Sequence, residues 1–145
     1  MLSQEKMKVL VVEDNPDDIT IIKRAMRKSE MKCDLSFARD GEEAIDFLWR
    51  SKSEYEDAPR PDVILLDLNL PKVKGLEVLA KIKKDEKLRR IPVIVLTVSE
   101  AEQDMIRAYD SGAASYMHKP VDSKDFERLI KTVQDYWRIA RIPSE

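Results

Sequence analysis

The stretch Val63-Ile64-Leu65-Leu66-Asp67, followed by Leu68-Asn69-Leu70-Pro71, decides the fold of this 145-residue chain. An unbroken apolar run, without polar alternation, is typical of a parallel strand that is buried on both faces. The run stops at an aspartate and a loop that contains a proline, and Gly75 precedes a segment with the apolar spacing of a helix. A buried strand, a loop and a helix in this order predict an α/β protein.

Further units of strand and helix flank this stretch on both sides. The predicted strands cover 8–12, 33–38, 92–96 and 114–118, and the predicted helices include one from Pro16, 42–50, 101–111 and a last one capped by Asp122. Asn15 before Pro16 is typical of a helix start, and Gly112 of a helix end. The first, third and fourth strands are nearly continuous apolar runs, as central strands are, whereas the second and fifth include polar residues. We therefore predict a three-layer (βα)5 sandwich with a parallel sheet in the order 2-1-3-4-5.

Composition limits the class of protein. The chain is 43% hydrophobic and 37% charged, with 26 basic and 28 acidic residues. These values predict a single globular domain over 1–145, with a core of about 7–140 and a short C-terminal tail. The balanced charge argues against a nucleic-acid partner, and no apolar run approaches the ~18 residues that cross a membrane. The lone cysteine, Cys33, favours a reducing compartment, so we expect the protein in the cytoplasm.

Polar residues follow four of the five predicted strands. In an open parallel sheet, ligands bind beyond the carboxyl ends of the strands, where the strand order reverses. The residues at these ends are Glu13, Asp14, Asp67, Thr97 and Lys119. Three carboxylates on neighbouring strands require a compensating cation, and Mg²⁺ prefers oxygen ligands and acts with phosphates. A carboxylate, a metal and a lysine together indicate phosphoryl transfer to Asp67.

The order of these residues resembles the CheY-like response-regulator receiver family, whose fold is flavodoxin-like, over nearly the whole chain. The resemblance rests on Glu13-Asp14, on Asp67 within Leu-Leu-Asp-Leu-Asn-Leu-Pro, on Thr97 and on Lys119-Pro120. The phrases Leu-Asn-Leu-Pro-Lys and Ile-Pro-Val-Ile-Val-Leu-Thr are similar to single-domain regulators that serve phytochrome-type kinases.

The resemblance implies a role for each residue of the site. Asp67 would be the phosphoacceptor, Asp14 and Asp67 would bind Mg²⁺ directly, Asn69 would add its backbone carbonyl, and Glu13 would act mainly through water. The phosphoryl oxygens would be bound by Thr97 and Lys119. The resemblance also implies a cis peptide bond before Pro120.

The resemblance further implies a signalling protein that catalyses only its own phosphorylation and dephosphorylation. Its partners would be a sensor histidine kinase or a phosphotransfer protein, and a downstream protein that binds the face of the fourth helix, fifth strand and fifth helix. Thr97 and Tyr116 would form the switch pair, with Tyr116 turning inward behind Thr97. Apolar residues near the end of the chain suggest a homodimer contact, namely Tyr136, Ile139 and Ile142.

Two alternatives remain open at this point. A phosphatase or phosphotransferase of the haloacid-dehalogenase type would carry a second aspartate two residues after the nucleophile, where this chain has Asn69. A pseudo-receiver would bind partners without taking a phosphoryl group.

Val98 is a departure from the receiver family, in which a small residue more often follows the threonine that corresponds to Thr97. Its bulk is hypothesised to narrow access to Asp67, which phosphoryl lifetimes of the Val98→Ala variant would test, equal lifetimes contradicting it. His118 is expected to be exposed and inert.

Overall fold

The computed structural model describes residues 6–28, 33–98, 101–119 and 123–139. Within these ranges, the parallel sheet contains β1 (Met7–Val12), β2 (Cys33–Ala38), β3 (Val63–Asp67), β4 (Val93–Thr97) and β5 (Ser115–His118), in the order β2-β1-β3-β4-β5. The helices that follow them are α1 (Pro16–Lys28), α2 (Gly41–Trp49), α3 (Gly75–Lys84), α4 (Glu102–Asp110) and α5 (Ser123–Ile139). The predicted architecture and strand order are confirmed.

The pairing register aligns the carboxyl ends of the central strands. Val12 at the end of β1 lies opposite Leu66, and Asp67 at the end of β3 lies opposite Leu96. Thr97, the last residue of β4, lies opposite His118, the last residue of β5. Because the strands end within about one residue of each other, the polar residues that follow them must meet at one edge of the sheet.

Apolar side chains alternate between the two faces of the sheet and form two hydrophobic clusters. Ile64 and its neighbours of the same face pack under α2, α3 and α4, where Leu48, Leu79 and Ala108 are fully buried. On the other face, Leu65 packs with α1 and α5. The sheet therefore supports a core on each side, as expected for strands that are apolar on both faces.

Local interactions fix the starts and ends of the helices. The Oδ1 atom of Asn15 accepts hydrogen bonds from the backbone N–H groups of Asp17 (2.9 Å) and Asp18 (3.2 Å), so Asn15 caps α1 as predicted. Gly112 follows α4 with a φ of 102°, a left-handed backbone that glycine adopts without strain, which confirms the predicted helix end.

Several predicted boundaries differ from the structure by a residue or two. Helix α2 starts at Gly41 because Asp40 caps it, accepting the N–H of Glu43 at 2.8 Å, and it ends before Arg50, whose φ is 51°. Gly75 is the first residue of α3 and does not precede it. Strand β1 starts one residue earlier than predicted, at Met7, and β5 one residue later, at Ser115. Strand β4 covers Val93–Thr97 and helix α4 covers Glu102–Asp110.

The loop at 51–61, between α2 and β3, contains a short 3₁₀ turn, Ser53–Tyr55, whose Tyr55 ring meets the Phe47 ring edge-on with centroids 5.9 Å apart. This aromatic contact ties the loop to α2. The predicted cap at Asp122 and the peptide bond before Pro120 lie outside the described residues. Among the helices that the structure describes, none combines the length and the apolar character that crossing a bilayer requires.

Candidate functional site

Asp67 lies at the centre of the edge where the strands end, and only 7% of its surface is exposed. Its two carboxylate oxygens have different partners. Oδ1 accepts the backbone N–H of Asn69 at 3.0 Å, and Oδ2 lies 3.2 Å from the Nζ atom of Lys119. The loop after β3 thus turns back to orient one oxygen of the carboxylate, and Lys119 holds the other.

Helix α3 begins directly behind Asp67. The backbone N–H of Gly75 donates to the carbonyl oxygen of Leu68 at 3.1 Å. A Cβ atom on Gly75 would lie 2.4 Å from the carbonyl oxygen of Asp67, which is too short for a non-bonded contact between carbon and oxygen. A glycine is therefore required at this position, and the helix start supports the backbone of Asp67 from behind.

The buried ammonium of Lys119 lies between three carboxylates. Its Nζ atom donates to Glu13, to Asp18 at 2.9 Å and to Asp67 at 3.2 Å. Its backbone N–H donates to the carbonyl oxygen of Thr97, which holds the end of β5 against β4. Burial alone would lower the pKa of Lys119, but its bonds to Glu13 and Asp18 and the charge of Asp67 outweigh burial and raise the pKa above its usual value.

Glu13 is the most deeply buried acid of the site, with 2% of its surface exposed. Its Oε2 atom accepts the backbone N–H groups of Asp14 (3.1 Å) and Asn15 (3.2 Å), and its Oε1 atom accepts Lys119. Burial raises the pKa of Glu13 to about 7; neighbouring Asp67 adds to this rise, and the bond to Lys119 opposes it. Glu13 therefore gains or loses its proton near neutral pH.

The predicted acidic residues come together as a candidate metal site. Glu13, Asp14 and Asp67 each place a carboxylate oxygen within 4.8 Å of the other two. Glu13 and Asp67 are buried, whereas Asp14 is exposed to solvent. Three carboxylate oxygens this close, one of them on an exposed residue, fit a hard divalent cation that keeps part of its water shell. Asn69, which we predicted to add a carbonyl ligand, is exposed on the loop that follows Asp67.

The two predicted switch residues lie on neighbouring strands. Thr97 is fully buried at the end of β4, one residue beyond the partner of Asp67. Tyr116 is half-buried on β5, opposite Val95, and packs against the cluster that contains Ile64. Their assignment as a switch pair stays a prediction.

The residues beside the switch pair are more exposed. Val98 has 61% of its surface exposed, and its carbonyl oxygen lies 3.0 Å from the Nε2 atom of His118. His118 is exposed, as predicted. The hypothesis that Val98 narrows access to Asp67 stays untested by these contacts.

Asp18 belongs to the site although the sequence pattern did not identify it. Its carboxylate contacts Lys119 from the first turn of α1, whereas the other acids of the site lie at strand ends. An acid in the first turn of a helix is explained by the helix dipole alone, so its residue type carried no further signal. The available signal was its position in the turn that follows Glu13-Asp14, which places it near the same edge of the sheet.

Comparison with known proteins agrees with this geometry. The sequence pattern of the response regulator receiver domain matches residues 9–133. The response regulator Rcp1 of Synechocystis sp. is 41% identical over 129 residues, which cover 89% of this chain and 87% of Rcp1.

Solved structures with the same fold include two regulators of similar length. The phosphorylated cyanobacterial phytochrome response regulator RcpA is 42% identical, with a TM-score of 0.85, and the match covers 97% of this chain and 100% of RcpA. The Mn²⁺-bound form of Rcp1 is 39% identical, with a TM-score of 0.83 over 95% of this chain and 99% of the other. Since the domain pattern, the fold and the relatives agree over most of its length, this chain belongs to the response regulator receiver family and is related to the phytochrome response regulators.

Proposed function

We propose that this receiver accepts a phosphoryl group on Asp67, with Mg²⁺ bound by Asp14 and Asp67 directly, by the backbone carbonyl of Asn69, and by Glu13 mainly through water. The donor is a phosphohistidine on a sensor histidine kinase, of the phytochrome type, or on a phosphotransfer protein. The observation that carries this proposal is the position of the Asp67 carboxylate, which lies 3.2 Å from the ammonium of Lys119 and within 4.8 Å of two further carboxylates. The Mn²⁺-bound form of Rcp1 supports a divalent cation in this family.

In the proposed transfer, an oxygen of the Asp67 carboxylate attacks the phosphorus in line with the leaving nitrogen of the donor imidazole. A P–O bond forms and the P–N bond breaks, and its electron pair stays on the imidazole. Mg²⁺ would supply charge neutralisation to the transferring oxygens. Lys119 and the hydroxyl of Thr97 bind the phosphoryl oxygens after transfer, and Lys119 is already within 3.2 Å of Asp67.

The added charge then biases the position of Thr97 and Tyr116, and the change reaches a partner through α4, β5 and α5. Support comes from α4, whose outer surface exposes three large apolar side chains, Met105, Ile106 and Tyr109. Apolar side chains exposed side by side are typical of a surface that binds another protein.

The remaining expectations are part of the same proposal. The chain works in the cytoplasm as one receiver domain over 1–145, and it catalyses only its own phosphorylation and dephosphorylation.

A homodimer contact near the end of α5 is supported by Tyr136, which is 64% exposed. The side chain of Ile139 and all of Ile142 lie outside the described part of the chain. Truncation after Ala140 with an unchanged mass in solution would contradict the dimer.

The central test is phosphorylation by acetyl phosphate, followed by intact mass spectrometry. We expect the wild type to gain the mass of one phosphoryl group when Mg²⁺ is present and none when EDTA removes it. Asp67→Asn should show no gain, because its amide cannot form the acyl phosphate. Asp57→Asn is a matched control, since Asp57 is an exposed aspartate of the 51–61 loop, and it should gain the same mass as the wild type.

Other outcomes separate the alternatives. A wild type that takes no phosphoryl group from acetyl phosphate or from a phosphorylated kinase would favour the pseudo-receiver. Release of many phosphate molecules per protein, without accumulation of the phosphorylated form, would favour a phosphatase of the haloacid-dehalogenase type.

A further inference from the structure

We propose that Asp18 is a positioning residue that holds the ammonium of Lys119 beside Asp67 while a divalent cation occupies the acidic site. This inference rests on the proposed function, because it concerns the ammonium of Lys119, which is proposed to bind the phosphoryl oxygens. Lys119 and Asp18 form an ion pair in which Nζ and Oδ2 are 2.9 Å apart.

Lys119 has three carboxylate partners, and they differ in what else they can bind. Glu13 and Asp67 belong to the cluster that fits a divalent cation, so a bound cation competes with Lys119 for their oxygens. Asp18 lies outside that cluster and is the one described carboxylate that contacts Lys119 without belonging to it. With the cation bound, Asp18 is therefore the partner that still holds the ammonium.

The position of Asp18 is itself fixed by the start of α1. Its backbone N–H donates to the Oδ1 atom of Asn15 at 3.2 Å, which sets the direction of the first helical turn. The Asp18 side chain is 29% exposed, whereas that of Lys119 is 8% exposed. Asp18 thus contacts the buried ammonium from the first turn of α1, whereas Glu13 and Asp67 contact it from strand ends.

Asp17 supplies a control within the same turn. Its backbone N–H donates to the same Asn15 oxygen at 2.9 Å, and its carboxylate makes no hydrogen bond or ion pair with any described residue. The variants Asp17→Asn and Asp18→Asn remove the same charge from the same end of α1. They should weaken the interaction with the helix dipole equally, so a difference between them isolates the contact with Lys119.

The first measurement is the rate of phosphorylation by acetyl phosphate at saturating Mg²⁺. We expect Asp18→Asn to lower this rate about fivefold, a modest factor because Asp18 is partly exposed, and Asp17→Asn to stay within about twofold of the wild type. Thermal unfolding of both variants checks that they fold equally well. Equal rates for the two variants would overturn the proposal.

A double-mutant cycle with Lys119→Met shows whether Asp18 acts through Lys119. In that background we expect Asp18→Asn to cause no further loss of rate, because the group it holds is gone. The same fivefold loss in both backgrounds would mean that Asp18 acts as a general charge or a structural residue, and would also overturn the proposal.

A spectroscopic measurement separates this inference from the proposed function. In ¹H–¹⁵N spectra of the Mg²⁺-loaded protein, an ammonium held by carboxylates exchanges slowly enough to be observed. We expect the Lys119 signal in the wild type and in Asp17→Asn, and its broadening in Asp18→Asn. A signal that is unchanged in Asp18→Asn overturns the inference, whether or not Asp67 is phosphorylated. Absent phosphorylation of the wild type contradicts the proposed function alone.

Discussion

At the scale of single residues, burial determines how the site responds to pH. Glu13 has a pKa of about 7 in the folded protein, against a value of 4.5 when exposed. The folded state therefore binds the Glu13 proton more tightly than the unfolded state does. The stability that this gives is fully present below pH 4.5 and is lost as the pH rises through 7.

We expect the Glu13→Gln variant to reveal this linkage. In EDTA, the free energy of unfolding of the wild type should fall relative to that of Glu13→Gln between about pH 5 and pH 8, because glutamine does not titrate. Addition of Mg²⁺ at the higher pH should restore the stability of the wild type, since a cation then lies beside the charged Glu13 carboxylate. Denaturation at several pH values provides the measurement, and parallel pH profiles for the two proteins would show that Glu13 is not perturbed.

At the scale of secondary structure elements, the contact of α3 with β3 supports the proposed phosphoacceptor, Asp67. A Cβ atom at Gly75 would lie 2.4 Å from the Asp67 carbonyl oxygen and 2.5 Å from the Cα atom of Leu68. Both neighbours are backbone atoms, so a larger residue can be accommodated only by moving the start of α3 away from β3. This movement would shift the loop that orients the Asp67 carboxylate.

We therefore expect Gly75→Ala to destabilise the protein by about 1–3 kcal/mol, although alanine is ordinarily the better helix residue. Phosphorylation by acetyl phosphate should slow as well, because the N–H of Asn69 no longer orients Asp67. The control is Lys74→Ala, since Lys74 is exposed and its side chain makes no cap hydrogen bond. Chemical denaturation gives the stabilities, and a Gly75→Ala variant as stable as Lys74→Ala would contradict the clash.

At the scale of the whole molecule, one sheet separates two cores. Trp49 packs beside the cluster that contains Ile64, and Trp137 beside the cluster that contains Leu65. Because neighbouring residues of β3 point to opposite faces, damage to either face weakens the same strand. The two layers should then unfold as one unit.

We expect Ile64→Ala to cost about 2–5 kcal/mol, and to lower the denaturant midpoint equally for both layers. Each layer can be followed by tryptophan fluorescence, with Trp137→Phe leaving Trp49 as the probe and Trp49→Phe leaving Trp137. Lys84→Ala, an exposed change on α3, should leave both midpoints in place. Independent layers would instead show a lower midpoint for Trp49 and an unchanged one for Trp137.

The sequence by itself determined the architecture and most of the site. Continuous apolar runs identify β1, β3 and β4 as central strands. The resulting strand order, β2-β1-β3-β4-β5, brings Asp14, Asp67 and Lys119 to one edge of the sheet. The physical reason is that a strand buried on both faces has a continuous apolar sequence, and that the carboxyl ends of parallel strands lie at the same edge of the sheet.

Only the tertiary structure decided which side chains meet within that edge. The contact of Asp18 with Lys119 depends on how α1 packs against the sheet, and the same first turn exposes Asp17 to solvent. The raised pKa of Glu13 likewise depends on burial by distant segments. Such contacts are set by the relative placement of whole elements, which residue type and spacing along the chain do not encode.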